Sequence, residues 1–186
     1  MPLDGEEKLH NSQQIGTLAI DLGNWTTVVA FQGESDLSPT LLDLPPITRI
    51  KGEIPSLIWQ SKNKESLVIG NQVLELGLKA DENSDLCIDF KRWIGNPLPS
   101  NWNNFRISPE EAGELLLNSI WEKIPFDLKI RRLVLTAPVN TYRAYRSWLQ
   151  KACLAMAVEE IALVDEPTAA AMGAGVPPGS KLLVID

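Results

Sequence analysis

The sequence is poor in the residues that build metal centres and disulfide frameworks. Its 186 residues include only two cysteines and one histidine. Cys87 and Cys153 lie far apart in apolar surroundings, so we expect two buried thiols in a reducing compartment rather than a disulfide. Neither their spacing nor the lone His10 supplies a metal-site pattern. A disulfide-stapled or zinc-bound small domain is therefore not expected.

Positive charge and long apolar runs are also scarce. The chain has 17 Lys and Arg against 24 Asp and Glu, a net charge of −7. Nucleic acids and anionic membranes require a basic face, so we expect neither as a partner. No run reaches the roughly 18 apolar residues of a membrane span, and residues 1–14 lack the apolar centre of a signal peptide. We expect a cytoplasmic protein with a flexible tail over residues 1–16.

The expected elements change in character along the chain. The first half favours antiparallel strands at 17–21, 26–32, 40–44, 53–60 and 66–69, with helical patterns at 71–79 and 88–94. In the second half, helices and strands alternate. A capping box at Ser108 predicts a helix that starts at Pro109. Strands are expected at 132–136, 160–164 and 181–185, and helices at 141–156 and 167–174. This alternation implies parallel pairing, so the sequence predicts a mixed α/β sheet flanked by helices.

An apolar strand runs directly into Asp165-Glu166-Pro167 and then into small residues. Pro167 suits the first position of a helix, which makes Glu166 the residue at the turn. The pattern therefore predicts a carboxylate on a short corner at the end of a strand, where open α/β sheets place their ligands.

Five motifs occur in the order of one known family. They are Ile-Asp-Leu-Gly at 20–23, Asp-Phe-Lys-Arg-Trp-Ile-Gly at 89–95, Ala-Pro-Val at 137–139, Asp-Glu-Pro-Thr-Ala-Ala-Ala at 165–171 and Leu-Leu-Val-Ile-Asp at 182–186. Together they resemble the DnaK-type heat-shock chaperones of about seventy kilodaltons, over residues 17–186. The resemblance implies the first lobe only of an actin-like, ribonuclease-H-like ATPase domain, with a reduced side-subdomain excursion at about 50–107.

The resemblance also implies roles for individual residues. Asp21, Glu166 and Asp186 match the carboxylates around the water shell of Mg²⁺, an ion that keeps several waters and takes few protein ligands. Lys91 matches the lysine that neutralises charge on the transferring phosphate, so Lys91 and Glu166 are the expected catalytic residues. Pro138 matches a proline that relays the nucleotide state.

The first phosphate loop departs from the family pattern. Gly23, Asn24, Trp25 and Thr26 are expected to bind the phosphates of ATP or ADP through backbone amides. The family usually carries two threonines after the glycine, where this chain has Asn24 and Trp25. Backbone amides survive this change but a hydroxyl beside the γ-phosphate does not. We expect phosphate binding to persist and hydrolysis to be slowed or lost.

The expected function is Mg²⁺-ATP binding and hydrolysis, coupled in the complete protein to the binding of unfolded peptides. The resemblance implies a second ATPase lobe, a peptide-binding domain and co-chaperones as partners. We expect the segment alone to bind ATP weakly, because the second phosphate loop and most of the adenosine pocket would lie beyond residue 186. The alternative is a nucleotide-sensing or scaffolding relative of actin without chaperone activity. A metal-dependent nuclease on the same core is disfavoured by the acidic charge.

Overall fold

A six-stranded mixed sheet forms the body of the protein. The computed structural model describes residues 13–63, 65–80, 84–100, 102, 106–139 and 142–184. In chain order the elements are β1 (Gln14–Asp21), β2 (Thr26–Gly33), β3 (Thr40–Leu41), β4 (Glu53–Pro55), β5 (Ile58–Ser61), β6 (Leu67–Ile69), α1 (Asn71–Glu75), β7 (Ser84–Cys87), α2 (Pro109–Glu122), β8 (Leu128–Ala137), α3 (Tyr142–Ala152), β9 (Glu160–Asp165) and α4 (Glu166–Gly173).

The sheet has the strand order β3-β2-β1-β8-β9, and β4 also pairs with β2. β1 pairs with β2 antiparallel, whereas β1 with β8 and β8 with β9 are parallel. The predicted mixed sheet is therefore confirmed. The hairpin between β1 and β2 and the crossovers through α2 and α3 explain the mixture, since antiparallel neighbours need only a tight turn and parallel neighbours need a crossover.

Strand periodicity places the core on one face of this sheet. In β1 the side chains of Leu18 and Ile20 are buried, and the intervening Ala19 and the terminal Asp21 point to the opposite face, as the two-residue period of a strand requires. Leu18 and Ile20 belong to a core cluster that also contains Leu116 of α2 and Tyr145 of α3. The polar end of β1 is thus held by a fully packed strand.

A second sheet, with strand order β6-β5-β7, lies within the predicted excursion and has its own small cluster of Leu57, Trp59 and Val73. The single strand predicted over 53–60 is wrong, because the chain leaves the main sheet after β4 and enters the second sheet at β5. The change of sheet occurs at Ser56 and Leu57: the Ser56 N–H still donates to the carbonyl of Trp25 at 2.9 Å, in line with the pairing of β2 and β4, and the pairing of β5 begins at Ile58. The domain boundaries themselves remain a prediction.

The predicted helices differ in how closely they match the structure. Ser108 caps α2 in a complete capping box with Glu111, as predicted. The helix predicted over 71–79 is α1 followed by a 3-10 helix at Leu78–Ala80, and the one predicted over 88–94 is a 3-10 helix at Phe90–Trp93. Strand β7 had no sequence signal. Within the described residues, no helix combines the length and apolar character that a bilayer crossing requires.

Two boundaries near the end of the chain need correction. Asp165, in extended conformation, is the N-cap of α4, so Glu166 takes the first helical position and Pro167 the second. The strand predicted over 181–185 is not formed at 181–184, because those residues pair with no neighbouring strand, and Ile185 lies outside the described residues. Asp186 also lies outside them.

Candidate functional site

The site is built where three parallel strands end at the same edge of the sheet. Ile20 is paired with Leu135, and Ala137 with Asp165. This register sets Asp21 at the end of β1 level with Thr136 in β8, and Glu166 follows directly after β9. Parallel strands present their carboxyl ends together, so a polar residue at each end gives one cluster.

Asp21 is fixed within this cluster by a hydroxyl group. The Oγ1 of Thr136 donates a hydrogen bond to Oδ1 of Asp21 at 2.6 Å. Asp21 is solvent-exposed, so its second carboxylate oxygen stays open to an incoming group. Thr136 was not predicted as a site residue, because its role depends on the register between β1 and β8, and the strand pattern alone does not give that register.

Lys91 and Glu166, 75 positions apart, form an ion pair in which the Nζ of Lys91 donates to Oε1 of Glu166. The side chains are only 10% and 24% exposed. Both are therefore largely withdrawn from water, where a charge-assisted hydrogen bond is stronger than at the surface. The structure thus brings together the two residues that the sequence analysis named as catalytic.

The backbone around Lys91 explains how a lysine outside the main sheet reaches Glu166. Asp89 precedes the 3-10 helix in the left-handed region, with φ of 54°, and this sharply redirects the chain. Phe90 and Ile94 are fully buried on either side of Lys91 and anchor the segment in the core. After them Gly95, with φ of 74°, lets the chain turn against α3. Lys91 is consequently held on a stiff, well-packed turn.

The loop between β1 and β2 is tight and is hydrogen-bonded to Ser56, which lies between β4 and β5. A Cβ placed on Gly23 would lie 2.2 Å from the carbonyl oxygen of Thr26, so the turn requires glycine. The hydroxyl of Ser56 donates to the carbonyl of Gly23 at 2.8 Å and contacts the Thr27 hydroxyl at 2.9 Å. Two loop carbonyls, those of Gly23 and Trp25, are therefore bound to Ser56.

The two residues that depart from the family pattern behave differently. Asn24 has a buried Oδ1 that lacks a hydrogen-bond partner among the described residues. Trp25 is 70% exposed and lines a cavity of about 410 Å³ between the two sheets. Thr26 begins β2 and is also exposed. Neither Asn24 nor Trp25 replaces a hydroxyl group at this position.

A second cavity, of about 530 Å³, lies beside the carboxyl ends of the three parallel strands. Asp21, Thr136 and Glu166 line it, together with small side chains that include Ala169 and Ala170 of α4. The run of small residues after Pro167 therefore keeps space open beside the carboxylates, in addition to shaping a helix.

The cap of α4 fixes the corner that carries Glu166. The Oδ1 of Asp165 accepts a hydrogen bond from the N–H of Thr168 at 3.0 Å. Hydrogen bonding from the Thr168 side chain and backbone lowers the pKa of Asp165 below its usual 3.8, although the carboxylate is hardly buried. A stable cap directly before Glu166 limits how far that side chain can move.

The residues present fit a magnesium ion that is held through water. No cluster of three or more His, Cys, Asp or Glu side chains able to hold a metal occurs among the described residues. Asp21 and Glu166 offer two carboxylates beside one cavity, which suits Mg²⁺ bound by few protein groups and by the oxygens of a ligand. The predicted contribution of Asp186 falls outside the described residues.

The thiols of Cys87 and Cys153 are free and buried.

Comparison with known proteins finds sequence similarity to DnaK chaperones. No protein-family model matches the chain. The chaperone protein DnaK of Mycoplasmopsis synoviae (strain 53) is 29% identical over 174 residues, and that of Metamycoplasma hominis is 26% identical over 175. Each alignment covers 91% of this chain but 27% and 28% of the relative. The chain therefore spans about a quarter of the length of these curated relatives.

A solved structure supplies the fold comparison. MreB5 of Spiroplasma citri bound to ADP superposes with a TM-score of 0.58 at 18% identity, covering 87% of this chain and 41% of that one. This superposition confirms the predicted actin-like fold. The alignments with the two DnaK chaperones confirm the predicted resemblance to a divergent DnaK-type lobe. These likenesses do not favour the scaffolding alternative.

Proposed function

We propose that this chain is the N-terminal lobe of a DnaK-type ATPase and that it binds Mg²⁺-ATP beside Asp21, Lys91 and Glu166. The observation that carries the proposal is the Lys91–Glu166 ion pair, formed across 75 positions at the strand edge where Asp21 also ends. A packed cation beside two carboxylates and an open cavity is the arrangement that binding of a phosphate with its metal requires.

The loop at residues 23–26 is the proposed phosphate cradle. Ser56 binds the carbonyls of Gly23 and Trp25 on one side of the loop. We expect the backbone N–H groups of this loop to bind the phosphate oxyanions, as in other anion-binding loops. Because these donors belong to the backbone, Asn24 and Trp25 preserve the cradle.

Asp21 and Glu166 would hold the water shell of Mg²⁺ at the mouth of the cavity. When bound, this ion supplies positive charge to the phosphate oxygens. The Thr136 hydroxyl keeps one oxygen of Asp21 in place, which leaves the other for a metal-bound water. The carboxylate from Asp186 is proposed as a third contributor, on the strength of the family motif.

Lys91 would neutralise negative charge that spreads over the phosphate oxygens during hydrolysis. Glu166 holds the amine in position by the ion pair, so the charge is already oriented before ATP binds. Orientation in advance is what makes electrostatic stabilisation effective, and loss of one such donor typically lowers kcat by about 100- to 1000-fold.

In the full-length protein we propose that the ATP state of this lobe controls the binding of unfolded peptides through a second lobe and a peptide-binding domain. Co-chaperones and a cytoplasmic location belong to the same proposal. The likeness to DnaK chaperones supports these statements, and they concern parts of the protein beyond the aligned quarter of the relatives.

ATP turnover by the full-length gene product tests the proposal. We expect Lys91→Met to lower kcat by about 100-fold or more, because the replacement keeps the apolar stem and removes the charge. Lys151→Met, at an exposed position in α3, is the matched control and should leave kcat within about twofold. Equal turnover by both variants would contradict the role of Lys91. Binding of Mg²⁺-ATP without turnover by the parent protein would favour a nucleotide-sensing function.

The proposed phosphate cradle predicts that a hydroxyl group at position 24 would speed hydrolysis. Asn24→Thr should raise kcat of the full-length gene product, because it restores a hydroxyl beside the γ-phosphate position. Asn24→Val, similar in shape to threonine but without a hydroxyl, is the control and should give no gain. If threonine and valine have the same effect, the missing hydroxyl is not what limits hydrolysis.

A further inference from the structure

The cavity of about 410 Å³ beside Trp25 has the size and the walls of a small-molecule site. Its apolar wall consists of Leu57, Leu74, Leu86 and Ile88. Sites for small molecules commonly measure about 300–1,000 Å³ and combine apolar walls with a few polar groups. The described residues that line this cavity are all different from those that line the cavity beside the carboxylates.

The charged residues of the lining favour an anion. Arg49 and Lys79 both line the cavity and are exposed, and neither side chain forms an ion pair within the described part of the chain. Glu53 is the one acidic residue among the described lining residues. The lining therefore carries a net positive charge, although the whole chain has a net charge of −7. Two cations without partners beside an apolar wall attract a ligand of negative charge.

An exposed indole ring completes the lining. Trp25 is 70% exposed and Ile88 is 41% exposed, so two large apolar side chains of this concave surface face water. The backbone of the tryptophan is fixed, because its carbonyl accepts the Ser56 N–H at 2.9 Å and the next residue, Thr26, pairs with Pro55. Apolar groups exposed together around a concavity mark a site that binds something. A flat indole held in place offers a surface on which an aromatic ring can stack.

We propose that this cavity binds a small amphipathic anion, a molecule with a flat apolar ring system and one acidic group. The ring system stacks on Trp25 and contacts the apolar wall. The acidic group pairs with Arg49, whose planar guanidinium can donate two parallel hydrogen bonds to a carboxylate, sulfonate or phosphate. Lys79 adds a second positive charge, and the carboxylate of Glu53 opposes the anion.

This ligand site is separate from the proposed ATPase function. Trp25 and Thr26 also belong to the proposed phosphate cradle, but the apolar wall and the two cations belong to the first cavity alone. A protein without ATP turnover would therefore still bind the anion.

Fluorescence titration of the 186-residue chain with anilinonaphthalene sulfonate tests the site, because this probe joins aromatic rings to one acidic group. We expect saturable binding of one probe per chain. Binding that does not saturate at this ratio would overturn the inference. Phenylnaphthylamine, which has the same rings without the sulfonate, is the uncharged comparison. Circular dichroism of each variant before titration verifies that it is folded.

Two charge variants should change the affinity for the sulfonate in opposite directions. Arg49→Gln should weaken its binding by about two- to fivefold, as expected for a partly exposed ion pair, and Glu53→Gln should tighten it. Lys51→Gln is the matched control, since Lys51 is exposed between these two positions and does not line the cavity. It should leave the affinity unchanged, and none of the three should affect the uncharged probe. Equal sulfonate affinity in the Arg49, Glu53 and Lys51 variants would overturn the proposed recognition of an anion.

A second pair of variants decides which cavity the probe occupies. Trp25→Ala should weaken the binding of both probes by about tenfold, because the ring system loses the indole on which it stacks. Ala170→Leu reduces the space in the cavity beside the carboxylates and should leave both affinities unchanged. The reverse result, with weaker binding in Ala170→Leu and none in Trp25→Ala, would place the probe in the other cavity and overturn the inference.

Discussion

Replacing Lys91 by methionine and Glu166 by glutamine, singly and together, measures how strongly the two side chains interact. Surface ion pairs contribute about 0.2–1 kcal/mol, and loss of one partner from a fully buried pair costs about 3–5 kcal/mol. The second value includes the cost of leaving a buried charge without its partner, so it exceeds the coupling between the two charges. With exposures of 10% and 24%, this pair is less screened by water than a surface pair. We therefore expect a coupling free energy of about 1–2 kcal/mol from urea unfolding of the four chains.

An exposed pair on the same sheet provides the control cycle. Arg132 and Glu160, on neighbouring strands, are joined at 2.8 Å with side chains 48% and 54% exposed. Solvent screening should hold their coupling to about 0.2–1 kcal/mol. High salt should weaken the coupling of the Arg132 pair much more than that of the Lys91 pair, because screening acts mainly on exposed charges.

Comparing the coupling free energies of the two ion pairs shows whether Lys91 and Glu166 are held in a packed environment. If the Lys91–Glu166 coupling is no larger than that of the control pair, or falls equally in high salt, the charges are not held in a packed environment. The argument that Lys91 is oriented before ATP binds would then be refuted.

Two further predictions concern groups near the site. The lowered pKa of Asp165 means that its cap stabilises the fold above the ordinary value of 3.8 and that this stability is lost as pH falls through the lower folded value. The stability advantage of the parent over Asp165→Asn should thus stay constant above pH 5 and shrink in acid, and a difference that does not vary with pH in urea unfolding would contradict it. Burial raises the pKa of Cys87 to about 12 and that of Cys153 to about 11, so almost no thiolate exists at pH 8. Iodoacetamide should modify neither in the native chain and both in urea, as measured by mass spectrometry; rapid modification of the native chain would show that the thiols are accessible.

Local patterns predicted much of the fold because they depend on neighbouring residues. The alternation in β1 and the capping box at Ser108 are set by the two-residue strand period and by contacts within one helical turn. The strand predicted over 53–60 failed because the chain passes at Ser56 from the main sheet to the second sheet, where Ser56 contacts a loop some 30 positions away. The residues next to Ser56 in the sequence do not indicate that contact.

The residues of the candidate site were likewise predicted only in part. The motif order indicated Lys91 and Glu166, and the structure brings these two together. Thr136 was missed because its relevance arises from the register between β1 and β8, which the sequence at that position does not encode. Asp165 was passed over as the cap because Pro167 suggested that the helix starts one residue later than it does.

A crystal structure of the full-length gene product with Mg²⁺ and ADP would show whether the nucleotide binds beside Asp21, Lys91 and Glu166. We expect phosphate oxygens within hydrogen-bond distance of backbone amides at residues 23–26, and waters of the metal in contact with Asp21 and Glu166. We also expect the Lys91 amine to face the position of the γ-phosphate. A nucleotide bound elsewhere, or a Lys91 amine turned away from the phosphates, would contradict the proposed site.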